Sequence, residues 1–235
     1  MNQHGGVARG LKIRSADAPE FTALREPLSL RDAAYEAIKH RIITCTYRPG
    51  EYINEANVSA MLGIGRTPVH QAIDRLMLEG MVDVMPRKGV IVKPVSLDEI
   101  MQIVEVRLLN ESYCVRLAAE RADRDETSHL TDILARTAQW IEARNSEQLM
   151  LLDREFHGVL ARASKNVVLA DTLSKLHDRS LRFWFISLNR AGHNETVHAQ
   201  HESILAAIRD HDADGAEQAM RAHILDFREN LMRSI

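Results

Sequence analysis

Apolar residues along this chain recur almost everywhere at helical spacing, with one interruption near residues 81–95. In "LRDAAYEAIKHRIIT", residues 30–44, Leu30, Ala34, Ile38 and Ile42 share a stripe and predict a first helix. "YRPGEYINE" supplies a Pro-Gly turn. A short second helix over 55–62 then stops at Gly63, the residue best suited to a helix C-terminus. In "LGIGRTPVHQAIDRL", Thr67 is the predicted N-cap and Pro68 the first helical residue. Val69, Ala72, Ile73 and Leu76 face a core, which leaves Arg66, His70, Gln71 and Arg75 outside near the helix start. "MVDVMPRKGVIVKPV" reads as two short strands around a Pro-Arg-Lys-Gly turn, a β-hairpin with Arg87 and Lys88 at its tip. Three short helices and a basic hairpin make a winged helix-turn-helix over residues 28–95. Its third helix is then either a recognition helix for a DNA major groove or a surface helix with solvated charges. The order of elements favours DNA.

The pattern changes after Val95. "SLDE" predicts a capping box, with Ser96 as N-cap and Glu99 three residues on. Helices follow near 97–122, 127–143, 146–163, 166–189, 197–210 and 214–233, the first of them continuous or broken. Residues 96–235 therefore predict an all-α bundle large enough for its own core. The expected fold is mainly α, a winged helix followed by a helical bundle.

Composition adds compartment and charge. The 235 residues are 45% hydrophobic and 27% charged, as in soluble globular proteins. No apolar run is long enough to cross a membrane. Residues 1–27 lack a secretory apolar region and read as a flexible arm. Two cysteines, Cys45 and Cys114, form no disulfide framework or zinc pattern, so a reducing cytoplasm is the expected home. The net charge of -3 disguises an asymmetry: residues 1–95 hold 13 Lys or Arg against 10 Asp or Glu, the remainder 17 against 23. Total charge does not veto DNA binding when one domain carries the contacts.

The helical half carries the candidate chemistry. "LLDREFH" sets Asp153 and His157 one helical turn apart, on a face with Leu149, Phe156 and Leu160. His201 shares a stripe with Leu205 and Ile208, and His223 with Met220 and Phe227. Buried unpaired, these four groups would be costly. Each imidazole is either hydrogen-bonded to backbone, or all four groups hold a divalent metal such as zinc, nickel, manganese or iron. His198, one turn before His201, is either a rival ligand or a supporting partner.

The stretch "YRPGEYINEANVSAMLGIGRTPVHQAIDRLMLEGMVDVMPRKGVIV" resembles the winged-helix domain of GntR-type bacterial transcription regulators. "EVRLLNE", "LDREFHGVLARASKN", "QHESILAAI" and "AMRAHI" are similar to the FCD ligand-sensing domain of the FadR-type subfamily. Departures are Gly65 where the family usually has Ser, His70 where it has Arg, and Gln71 where it has Glu. The resemblance implies a metal bound by Asp153, His157, His201 and His223, with zinc the first expectation. It also implies that Arg107 faces an effector cavity, where a guanidinium suits a carboxylate. The residue reading alone pairs Arg107 equally well with Glu111. Asn166 is likewise either an effector contact or a helix cap. On the DNA side the implied contacts are Arg66, Thr67, His70, Gln71, Arg75, Arg87 and Lys88.

The expected protein is a homodimeric transcription regulator, a repressor, that binds double-stranded operator DNA and answers to a small organic acid. Two alternatives stand beside it: a regulator with a purely structural metal, and a metal-dependent hydrolase. No second acid or base at a recognisable spacing supports the hydrolase.

Overall fold

The computed structural model describes residues 28–85, 89–94, 96–187 and 193–233. The expected arm over 1–27 and the wing-tip residues Arg87 and Lys88 lie outside them. Helix α1 spans Leu30–Ile43, and the Ser29 side chain accepts the N–H of Asp32 at its start. A two-residue strand, β1, Tyr52–Ile53, precedes α2, Glu55–Leu62. Gly63 ends α2 with φ +64°, a left-handed conformation that costs glycine nothing. Helix α3 spans Arg66–Leu78, and strands β2, Val82–Met85, and β3, Gly89–Val92, form the wing.

Two local expectations are corrected here. Thr67 is not the cap of α3: Gly65 stands at that position, and its carbonyl accepts the Val69 N–H at 3.4 Å. Helical backbone therefore begins at Arg66, with Thr67 and Pro68 inside the first turn, where an N–H has no helical partner. Among the described residues the sheet also has three strands instead of two, in the antiparallel order β1-β3-β2, with Tyr52 opposite Ile91 and Val84 opposite Val90. Two residues of β1 are too short for an alternating pattern to announce.

Among the described residues six helices form the bundle: α4 Leu97–Arg121, α5 Arg124–Glu142, α6 Ser146–Ala163, α7 Val167–Ser187, α8 His193–Arg209 and α9 Ala213–Met232. Helix α4 is continuous. Ser96 caps it by accepting the Glu99 N–H, but the Glu99 side chain pairs with Arg179 of α7 instead of closing a capping box. The capping box is found at α5, where Asp123 and Glu126 satisfy each other's backbone and start that helix earlier than expected.

Packing joins the halves. Ile38, Ile42, Val69, Ile73, Leu76, Val82 and Val92 fill the winged helix, and Ile100, Val115, Ile133, Phe156, Leu160, Ile204 and Ile224 the bundle. All belong to one apolar cluster. Helix α1 lies against α7, so the winged-helix half rests on a helix that also lines the bundle interior.

Candidate metal centre and nucleic-acid interface

Helix α6 brings Asp153 and His157 inward because Leu149, Phe156 and Leu160 bury the same face. Helices α8 and α9 deliver His201 and His223 to the same point. One ligand atom from each of these four buried residues lies within 4.8 Å of all the others. His201 Nε2 is 3.7 Å and His157 Nε2 4.0 Å from Asp153 Oδ1. Neither Nε2 has a hydrogen-bond partner, although both are buried. Unpaired buried nitrogens aimed at one carboxylate oxygen are expensive by themselves and inexpensive around a cation. The donor set, one carboxylate and three imidazoles, fits a divalent transition metal.

The outer contacts fix the rings. Glu111 Oε2 pairs with His157 Nδ1 at 2.8 Å, and Gln200 Oε1 lies 2.8 Å from His223 Nδ1. Holding Nδ1 in this way turns Nε2 toward the centre, as outer-sphere partners of metal-bound histidines do. The His201 ring stacks on Phe156 with centroids 4.1 Å apart and planes 14° apart.

Electrostatics matches. Burial, followed by the neighbouring imidazole of His157, pushes His223 down to about 3. Burial, followed by His223, also carries His201 well below the usual imidazole range. Both rings are thus neutral and ready to ligate near pH 7. Burial opposes the charge on Asp153, yet the His177 contact and the surrounding imidazoles hold its carboxyl well below the usual range. A histidine depressed in the folded state leaves the unfolded chain binding more protons, so its stability contribution is complete above the unfolded value and declines as pH falls. Protein free of any bound cation should therefore lose stability progressively from about pH 6.5 toward about pH 3 through His223. Urea unfolding of chelator-treated protein measures this, and His223→Gln should give a shallower slope. An equal slope would mean that His223 does not titrate across that window.

Sequence reading missed His177. It lies on the buried α7 stripe between Leu173 and Leu181, and its Nε2 is 3.3 Å from Asp153 Oδ2. That stripe was the available signal. His198 stands aside, half-buried, with Nε2 3.6 Å from Glu202. Arg107 is buried, donates from Nε to Glu111 at 2.5 Å and from Nη1 to Ser180 at 3.3 Å. It lines a cavity with Asp153, His177, His223 and Phe227. Burial works against charge on Glu111, but Arg107 and His157 keep it ionised. Asn166 caps α7, its Oδ1 accepting the Leu169 N–H at 3.1 Å.

On α3, Arg66, Thr67, His70, Gln71 and Arg75 are all exposed. His70 Nδ1 is 3.2 Å from Glu55, and Asp74 lies 3.7 Å from its other nitrogen. The Glu55 contact first, then Asp74, raises its affinity for a proton. Arg75 is drawn toward α1: its guanidinium sits 3.6 Å from the Tyr35 ring centroid, with Glu79 at 3.2 Å. Among the described residues no helix is long and apolar enough to cross a membrane.

A three-helix winged unit on a helical bundle with a buried His/Asp cluster is the architecture of a nucleic-acid reader joined to a second, all-helical domain. The chain belongs to the GntR family of bacterial regulatory proteins. Residues 30–92 match the model described as "Bacterial regulatory proteins, gntR family", and residues 102–226 match that of the FCD domain. It is 31% identical over 191 residues to the Nta operon transcriptional regulator of Aminobacter aminovorans, covering 80% of this chain and 88% of the relative. It is 24% identical over 210 residues to the HTH-type transcriptional repressor RspR of Escherichia coli, covering 89% and 92%. The structure of E. coli McbR/YncC superposes with a TM-score of 0.80 over 88% of this chain and 99% of that one, at 23% identity, which shows a shared fold. The protein is therefore a DNA-binding transcription regulator of the GntR/FCD type, and these relatives are regulators, not enzymes.

Proposed function

We propose that this regulator is a homodimeric repressor whose bundle holds one divalent metal through Asp153, His157, His201 and His223 and binds a small carboxylate beside it. The observation that carries this reading is the pair of buried Nε2 atoms, on His157 and His201, without a hydrogen-bond partner. Zinc, nickel, manganese and iron all suit the donor set, with zinc the first expectation. When bound, the ion supplies a positive charge and open positions for acid oxygens. Arg107 supplies a guanidinium facing the same cavity. No effector contact is proposed for Asn166. On DNA, the α3 N-terminus with Arg66 and Thr67 faces phosphate and His70 and Gln71 face the major groove, with Arg75, Arg87 and Lys88 as further basic contacts.

A thermal-shift screen of the metal-loaded protein against small organic acids tests the effector reading. At least one acid should raise Tm, and Arg107→Ala should abolish that rise while retaining the metal. If no acid shifts the wild type, the second reading stands: a metal that is purely structural. Its support is that Arg107 is already engaged by Glu111 and Ser180.

Dimerisation is expected because palindromic operators mirror a two-fold protein. Val106, Leu109 and Tyr113 form an exposed apolar stripe on α4, with Leu109 71% exposed. A second copy packed there would bury it. Sedimentation of the full chain should show a dimer that Leu109→Glu shifts toward monomer. A dimer unaffected by Leu109→Glu would move the interface elsewhere.

A further inference from the structure

His177 is the group that the four-ligand reading leaves without a task. Its side chain is buried, and neither ring nitrogen has a hydrogen-bond partner. His157 and His201 approach Asp153 Oδ1, whereas His177 approaches Oδ2 at 3.3 Å. Its ring centroid is 4.6 Å from that of His157. Glu111, His157 and His177 also converge as a second set of donor atoms within 4.8 Å. Glu111, however, is held by Arg107 and His157 Nδ1, which makes it an orienting carboxylate and not the seat of a separate ion.

We propose that His177 is a positioning residue for the cation held by Asp153, His157, His201 and His223: it engages Asp153 Oδ2 and so aims Oδ1 at the ion. This rests on the metal reading above. Its ring nitrogens converge with Glu111 and His157 and not with the four ligands, which makes it an outer partner of the carboxylate. Loading the full chain with Co2+ and recording its proton spectrum counts coordinated imidazoles, since each gives a strongly shifted exchangeable N–H signal. Three such signals are expected in the wild type and three in His177→Gln, with Co2+ bound about 10–100-fold more weakly by the variant. A fourth signal in the wild type, lost in His177→Gln, would make His177 a ligand and overturn the assignment, as would an unchanged Co2+ affinity in the variant. No shifted signals at all would remove the metal reading together with it.

A second, independent observation concerns the residues next in sequence. Asp178 and Arg154 follow His177 and Asp153 on α7 and α6, and they face away from the centre toward α1. Arg154 Nε donates to Asp178 Oδ1 at 2.6 Å, and Lys39 of α1 contacts Asp178 Oδ2. Lys39 also donates to Tyr35 Oη at 2.6 Å and to Glu79 at 3.3 Å, and Glu79 pairs with Arg75 of α3. Lys39 and Asp178 are almost fully buried, so water does not screen this chain of charges.

We infer that the buried Asp178–Lys39–Glu79 network couples the bundle centre to helix α3. A helix is stiff over one residue, so a shift of Asp153 or His177 on binding moves Arg154 or Asp178 with it. Amide hydrogen exchange on the full chain, with and without Ni2+, reads this directly. In the wild type, Ni2+ should slow exchange several-fold in residues 66–78 as well as in the bundle. In Lys39→Met and in Asp178→Asn the effect should remain in the bundle and vanish from α3. Wild-type α3 exchange indifferent to Ni2+, or an undiminished α3 response in both variants, would overturn the coupling. Ni2+ without effect anywhere, bundle included, would instead count against metal binding and remove the coupling with it.

Discussion

Replacing His157 by alanine should abolish the proposed metal binding. His157 is held by Glu111 on one nitrogen and offers the other to the centre, so its removal deletes a ligand and leaves Glu111 with Arg107 alone. Loss of an outer-sphere partner alone typically costs 10–100-fold in affinity, and loss of a ligand should exceed about 100-fold. Elemental analysis of the purified variant should find the metal largely absent, and Tm should no longer fall on adding chelator. The double variant His157→Ala/His201→Ala should contain none. Full occupancy in that double variant would mean that the ion, wherever it lies, is not bound by this cluster.

The largest effect on stability should come from Lys39→Ala. Lys39 is the cation between two buried carboxylates, Asp178 and Glu79, with side-chain exposures of 3% and 9%. Burial raises the cost of the Asp178 charge, yet Lys39 and Arg154 hold that carboxyl below its ordinary range. Breaking a buried pair by removing one partner costs about 3–5 kcal/mol. Arg154 stays on Asp178 and Arg75 on Glu79, so the lower end, about 3 kcal/mol, applies. For a chain of this size that lowers Tm by roughly 6–12 °C. Lys39→Met paired with Asp178→Leu should recover much of the loss, because hydrophobic replacement of a buried pair is often neutral. Urea and thermal unfolding of the two variants measure both. A Tm change near zero in Lys39→Ala would mean that water reaches the network.

The sequence made the centre partly legible. Asp153 and His157 announced themselves because an i, i+4 pair shares a face with Leu149, Phe156 and Leu160. His201 and His223 followed from their own apolar stripes. His177 has the same kind of stripe, Leu173 and Leu181, but its carboxylate is on another helix, and single-helix periodicity does not reach across that gap. The α3 start shows a different limit. Thr67 is the better cap by side chain, but non-helical backbone at Gly65 starts the helix two residues earlier, and its carbonyl accepts the Val69 N–H. Strand β1 is defined by its pairing with Val90 and Ile91 of β3, extended by the bonds of Gly50 and Glu51 with Val92, more than by its own residues. The Lys39–Asp178 contact depends on how α1 settles on α7, which residues far apart in the chain decide together.

The central claim is that one divalent ion sits among α6, α8 and α9. Anomalous diffraction from crystals of the metal-loaded protein tests it most directly. The account predicts a single peak within bonding distance of Asp153 Oδ1 and of Nε2 on His157, His201 and His223. A loaded crystal with no peak there, or with its peak on the exposed histidines instead, would contradict it.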